Sequence, residues 1–99
     1  LRVVTFNANG LRSAAHKGFF QWFSRQRADV LCVQELKARD EQIADAEFHA
    51  RGFHRVSMSA ERPGYSGVAI YSRAEPVEVV RGIGNEEFDR EGRYLEARF

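Results

Sequence analysis

The stretch Ala28-Asp-Val-Leu-Cys-Val-Gln-Glu-Leu-Lys37 decides how the chain is read. Val30, Leu31, Cys32 and Val33 form an unbroken apolar run, so a strand at about residues 30–35 is apolar on both faces, as suits a strand covered on both sides of its sheet. Upstream, Arg2-Val-Val-Thr-Phe-Asn7 is rich in β-branched and aromatic residues and reads as a first strand. Between the two, Leu11, Ala14, Ala15, Gly18, Phe19, Trp22 and Phe23 recur at three- and four-residue steps, one face of an amphipathic helix. Ser13 offers that helix an N-cap, and Lys17, Gln21, Ser24 and Arg25 fall on its other face. Strand, helix of roughly 15 residues, strand is the size of a β-α-β unit.

Downstream, a shorter helix is expected over Asp40 to Ala50, ending at Gly52. Short strands follow at about 53–58, 67–72, 76–80 and 93–99, separated by Pro63-Gly64, Glu75-Pro76 and Gly82-Ile-Gly84. In the last of them Leu95, Ala97 and Phe99 alternate with polar or amphipathic neighbours and supply one core face. That strand reaches the final residue with no turn after it, so the chain is expected to belong to something longer. Leu1 in place of an initiator Met agrees with this.

The 99 residues are 43% hydrophobic and 29% charged with 12% aromatics, a composition that excludes intrinsic disorder and leaves room for one core. No apolar run approaches the ~20 residues of a membrane-spanning helix, and no basic-then-apolar leader is visible. Cys32 is the only cysteine, so there is neither an internal disulfide nor a structural zinc site, and the expected compartment is cytoplasmic. The net charge of +1 hides strong patterning, because residues 1–27 hold five bases and no acid whereas residues 28–50 hold six acids against Lys37 and Arg39. A basic segment suits a phosphate backbone, although charge alone is more simply a solvated helix face.

Three clusters could carry chemistry. Asn7-Ala-Asn9-Gly10-Leu11-Arg12 follows a strand end, where two amides and an arginine could orient a phosphate or a metal-bound carboxylate, or could simply form a turn with Asn side chains on local backbone. Gln34-Glu35-Leu36-Lys37 puts a carboxylate beside that first strand end, placed either to hold Mg²⁺ or to pair with Lys37 at the surface. Arg62-Pro63-Gly64-Tyr65-Ser66-Gly67 offers backbone and hydroxyl donors to phosphate oxygens, or is a hairpin turn with a packed tyrosine. His16, His49 and His54 share no metal-ligand spacing and form no nucleophile motif.

Thr5-Phe-Asn-Ala-Asn-Gly-Leu-Arg-Ser13, the 28–37 stretch, Gly64-Tyr-Ser-Gly-Val-Ala-Ile-Tyr-Ser-Arg73 and Glu91-Gly-Arg93, in that order, closely resemble the exonuclease III family. This is the bacterial branch of the Mg²⁺-dependent apurinic/apyrimidinic endonucleases, within the endonuclease/exonuclease/phosphatase superfamily. The resemblance implies an α/β fold, a four-layer sandwich of two packed sheets flanked by helices. Residues 1–99 would be the N-terminal part of one such domain, its half-sandwich.

It further implies that Glu35 ligates the catalytic Mg²⁺, for which Mn²⁺ could substitute. Asn7 would lie beside it as a ligand or as a partner of the scissile phosphate. Asn9, Arg12, Lys37, Gly64, Tyr65 and Ser66 would lie near metal or DNA backbone, while Arg93 would brace the inner strands.

The implied activity is incision of double-stranded DNA 5′ to abasic sites, with 3′-to-5′ exonuclease action at 3′ ends, by a protein that is monomeric when full length and has no membrane partner. The family's catalytic Tyr, its Asp-x-Asn pair and its closing Asp-His pair would fall after Phe99, so the 99 residues alone are expected to be inactive. The alternative within the superfamily is a non-catalytic, RNA-associated regulator of the catabolite repression control type, which shares a Gly-Arg-Tyr-Leu strand. A phosphatase of small phosphorylated substrates is a further one.

Overall fold

The computed structural model describes all 99 residues. Its organising strand is β2 (Val30–Gln34), with β1 (Val3–Asn7) parallel on one side. On the other side lies antiparallel β4 (Val68–Ser72), and β3 (His54–Met58) pairs antiparallel with β4 at the far edge. The sheet order is therefore β1-β2-β4-β3, a mixed sheet in which the parallel pair needs the expected helical crossover. β5 (Glu78–Arg81) and β6 (Leu95–Arg98) form a separate antiparallel pair. The result is α/β, one mixed sheet with helices on one face and a small second sheet, as expected for half of the layered sandwich.

The crossover is two short helices rather than one. α1 (Leu11–His16) and α2 (Phe19–Phe23) are divided at Gly18, whose φ of 96° is left-handed backbone that ends the first helix. α1 starts at Leu11, so Ser13 lies inside it and caps nothing. Both helices bury their apolar face on the sheet. The ring of Phe6 stacks on Phe19 with centroids 4.1 Å apart, and Phe23 meets Phe53 edge-on at 5.3 Å. Leu11, Leu31, Leu36 and Tyr71 are wholly buried, each contributing roughly 1.5–3 kcal/mol.

The helix expected over Asp40 to Ala50 is not formed. Two tight 3₁₀ turns, Asp40–Ile43 and Ala46–Phe48, replace it. Side chains from the sheet take the carbonyls that a helix would need. Arg55 donates to the Ile43 and Phe48 carbonyls at 2.8 and 3.4 Å, the Tyr71 hydroxyl donates to the Phe48 carbonyl at 2.8 Å, and Ser57 donates to the Asp40 carboxylate. A one-turn helix, α3 (Glu86–Asp89), capped by Asn85, was not legible in the sequence.

Only Leu31 and Val33 of β2 are fully buried, whereas Val30 and Cys32 on its other face are half-buried. That face carries Cys32, Ile70 and Val56 side by side in register, with Val30 opposite Ser72 two residues along. Phe99, expected in the core, is 54% exposed. No helix is long and apolar enough to cross a membrane.

Two stability measurements follow. A Cβ on Gly92, at φ 62°, would sit 2.6 Å from the Ala60 backbone nitrogen, whereas one on Gly84 meets nothing within 4 Å. In urea unfolding of the full-length protein, Gly92→Ala should cost at least about 2 kcal/mol, while Gly84→Ala should cost about 1 kcal/mol from its φ alone.

Burial, reinforced by Arg55, also holds the His49 pKa below its usual 6.5. The unfolded chain therefore binds the proton first as pH falls, and stability should drop from about pH 6.5 downward until the folded form titrates. His49→Gln should flatten that part of the pH–stability profile, and an unchanged slope would rule the residue out as its cause.

Candidate functional site

The parallel pairing of β1 and β2 brings their carboxyl ends to the same edge of the sheet, Asn7 opposite Gln34. Three loops leave or approach this edge, and backbone hydrogen bonds lace them together. The amides of Ala8, Gly10 and Leu11 donate to the carbonyls of Gln34, Glu35 and Leu36, each at 2.9 Å. In turn Leu36 donates to the Gly67 carbonyl at 3.0 Å and Lys37 to that of Ser66 at 2.8 Å. Gly67 permits this close approach, since a Cβ there would lie 3.2 Å from Leu36 Cβ. The 34–37 segment thus continues past the strand as the middle rail between two loops.

Side chains converge on the same place. Asn7 Nδ2 donates to Glu35 Oε2, and Asn7 Oδ1 accepts from the Asn9 amide at 3.1 Å. Lys37 Nζ donates to Asn9 Oδ1 at 2.6 Å and lies 3.8 Å from Glu35 Oε1. Arg12 donates to the Lys37 carbonyl at 3.1 Å. Glu35 and Lys37 keep 40% and 38% of their side chains exposed, so the carboxylate is held from one side and open on the other. Asn7, Asn9, Arg12, Glu35 and Lys37 therefore form one bonded cluster.

Ser66 joins the cluster through its backbone and is buried. Tyr65 is next in the chain but is bonded elsewhere. Its hydroxyl accepts from Arg93 at 2.7 Å, and Arg62 and Arg93 each place a guanidinium 5.4 Å from its ring centre. Gly64 opens the turn at φ 69° with no neighbour in reach of a Cβ. Arg93 does not brace inner strands. It is exposed, its Nε donates to Glu91 at 2.7 Å, and its pKa is pushed up by Glu91 and Tyr65. Arg62, part of the third cluster, sits against the Tyr65 ring, whereas Glu91 was missed as a functional candidate, although the Glu91-Gly-Arg93 triplet was a sequence signal for it.

Five non-glycine residues have positive φ: Asn9, Arg27, Glu35, Lys37 and Ser66. Four of them are the site residues themselves. Such conformations cost of order 1–3 kcal/mol each and persist where the surroundings over-determine them. Here the lacing of the three loops does so.

The residues suit one carboxylate's share of a Mg²⁺ site, since that ion takes oxygen ligands, often from one or two carboxylates with water and substrate phosphate completing the shell. Asn7 directs its N–H to Glu35 and spends its oxygen on the Asn9 amide, an arrangement that orients the carboxylate. Glu35 is the only acid of the cluster, and no group of three or more His, Cys, Asp and Glu side chains that could hold a metal comes together anywhere in the chain. Beside the cluster runs an open groove of about 560 Å³ lined by Gly10, Arg12, Ser13, His16, Lys17 and Lys37, with no hydrophobic residue and with three cations.

The fold and site together define an α/β protein with an amide-braced carboxylate at the carboxyl edge of a mixed sheet, flanked by bases. The chain belongs to the Endonuclease/Exonuclease/phosphatase family, whose profile matches residues 4–99. It is 36% identical to an exodeoxyribonuclease of Bacillus subtilis over its full length and 38% of that protein's. It is equally 36% identical to the zebrafish (Danio rerio) DNA repair nuclease APEX1, covering 33% of it. The structure resembles an AP endonuclease from Archaeoglobus fulgidus, with TM-score 0.83 and 36% identity over 98% of this chain and 36% of that one. It likewise resembles the 3′ phosphatase NExo from Neisseria bound to a product DNA hairpin, with TM-score 0.80 and 28% identity over 96% and 36% of the two chains. The chain thus spans only about a third to two-fifths of the length of these relatives.

If the strained backbone is held for the side chains' sake, Glu35→Gly and Lys37→Gly should change stability by no more than about 1 kcal/mol, because glycine takes their φ without penalty. Val33→Gly, which empties a core position, should cost more than about 3 kcal/mol. Urea unfolding of the three variants checks this, and a large loss in the first two would show that the side chains hold the fold.

Proposed function

We propose that this chain supplies part of the active site of a Mg²⁺-dependent DNA-repair phosphodiesterase of exonuclease III type, incising 5′ to abasic sites and removing nucleotides from 3′ ends. The observation that carries the proposal is the Glu35 carboxylate, braced by Asn7 and open to solvent where the three loops meet. The names of the relatives support the substrate class, since exodeoxyribonucleases and AP endonucleases act on DNA.

In this reading Glu35 is the metal's protein ligand. A Mg²⁺ ion bound there would offset charge building on the scissile phosphate and on the leaving oxygen. Asn7 fixes the carboxylate rotamer through its hydrogen bond, so less conformational freedom is lost when the ion binds. Asn9 anchors the Lys37 ammonium beside Glu35, placing a positive charge where a phosphate approaches. Arg12 ties that loop down through the Lys37 carbonyl and, with Lys17 and His16, lines the groove along which a DNA backbone would lie. Gly64, Tyr65 and Ser66 would contact a neighbouring stretch of backbone. An abasic sugar is readily turned out of the stack, because it has no base to unpair.

No residue among the 99 is placed as general base, so the activity requires the rest of a full-length protein and the 99 residues alone should not cleave DNA. The decisive assay is cleavage of a duplex bearing one abasic analogue by the full-length protein, with Mg²⁺ and with EDTA. Incision 5′ to the lesion that needs Mg²⁺ and falls by at least about a hundredfold in Glu35→Gln is expected. A folded protein that never cuts the duplex would refute the nuclease reading.

A further inference from the structure

The Tyr65 hydroxyl is held in an unusual way for an exposed turn. It accepts a hydrogen bond from Arg93 NH2 at 2.7 Å, and Arg93 Nε in turn donates to Glu91 Oε1 at 2.7 Å. A guanidinium has donors only, so the Arg93 bond occupies a lone pair of the phenol and leaves its own proton to point elsewhere. The one other partner within the cluster, Glu91 Oε1, is at 3.5 Å, the limit of a useful bond.

The segment that carries this pair is pinned rather than loose. Gly92 is packed against the Ser59 and Ala60 backbone, and the Glu61 amide donates to the Arg90 carbonyl at 2.9 Å. Residues 90–93 therefore clamp the loop in which Tyr65 sits. The next residue, Ser66, is bonded to Lys37, two residues from the carboxylate.

We propose that Glu91, Arg93 and Tyr65 form a relay in which Glu91 orients Arg93 and Arg93 orients the Tyr65 hydroxyl as a donor to a nucleic-acid phosphate one contact away from the Glu35 centre. Arg93 is thus a positioning residue that acts through Tyr65. The inference rests on the nuclease reading above and adds to it a source of substrate register separate from the metal ligand. The Arg62 and Arg93 guanidiniums, each 5.4 Å from the ring centre, also draw the phenol toward them by cation–π attraction and so restrain the ring.

The test is a double-mutant cycle in the full-length protein, with each variant first shown to be folded by its thermal melt. Binding of a fluorescent abasic duplex is measured in a Glu35→Gln background, and KM and kcat in the wild-type background. Arg93→Gln and Tyr65→Phe should each weaken binding by about tenfold and raise KM alike, with kcat within about twofold of wild type. The double variant should be no weaker than either single one, because the second change removes a contact already lost. Glu91→Gln should give an intermediate loss, and Arg93→Lys, which keeps the charge without the fork, should not restore binding.

A double variant weakened by about a hundredfold would show two independent contacts and overturn the relay while leaving the nuclease intact. Full rescue by Arg93→Lys would overturn it as well, reducing Arg93 to bulk charge. Failure of the wild-type protein to bind the duplex at low salt would instead remove the nuclease reading, and the relay with it.

Discussion

The site depends on backbone hydrogen bonds that are not part of any strand. Glu35, Leu36 and Lys37 leave β2 and continue as the middle member of a three-loop lattice, accepting from Gly10 and Leu11 and donating to Gly67 and Ser66. Each of these bonds satisfies a polar group at the edge of a buried core, where leaving it unmade costs about 1–3 kcal/mol. Leu36, wholly buried between the two exposed site residues, is the nail that keeps the segment down. The functional side chains are therefore presented by a rigid lattice rather than by mobile loops, and the left-handed backbone at Asn9, Glu35, Lys37 and Ser66 is tolerated because so many bonds fix it.

Much of the fold was legible because apolar periodicity is a strong local signal. The first two strands and those at 54–58 and 68–72 announce themselves through β-branched and aromatic residues between turn signals, and the crossover through apolar residues recurring at three- and four-residue steps. Where the sequence misled, a tertiary partner had overridden a local preference. Gly18 lies on the apolar face at helical spacing, yet it takes a left-handed φ and splits the helix. Residues 40–50 have the composition of a helix, but Arg55 and Tyr71 claim its carbonyls from the sheet. No window on the segment itself could reveal donors that arrive from positions later in the chain.

The candidate site was legible in a different way. Residue type at strand ends pointed to Asn7, Asn9, Glu35 and Lys37, and the structure joins these in one hydrogen-bonded cluster. The alternatives considered for them are also physically present, since Asn7 does close a turn onto the Asn9 amide and Glu35 does lie near Lys37. A brace and a site are here the same set of contacts. Arg93 was harder to read, because a lone arginine before a strand gives no hint that its partner is a tyrosine 28 residues upstream.

The choice of Glu rather than Asp at position 35 says something about reach. A left-handed φ of 54° is more comfortable for Asp than for Glu, so a carboxylate wanted only for its charge would be easier to place with the shorter side chain. The extra methylene carries the charge away from the rail and across to the end of β1, where Asn7 receives it. Length at this position is set by a gap between two strands' ends, so a designer who moved the centre onto another scaffold would have to transplant that spacing along with the acid.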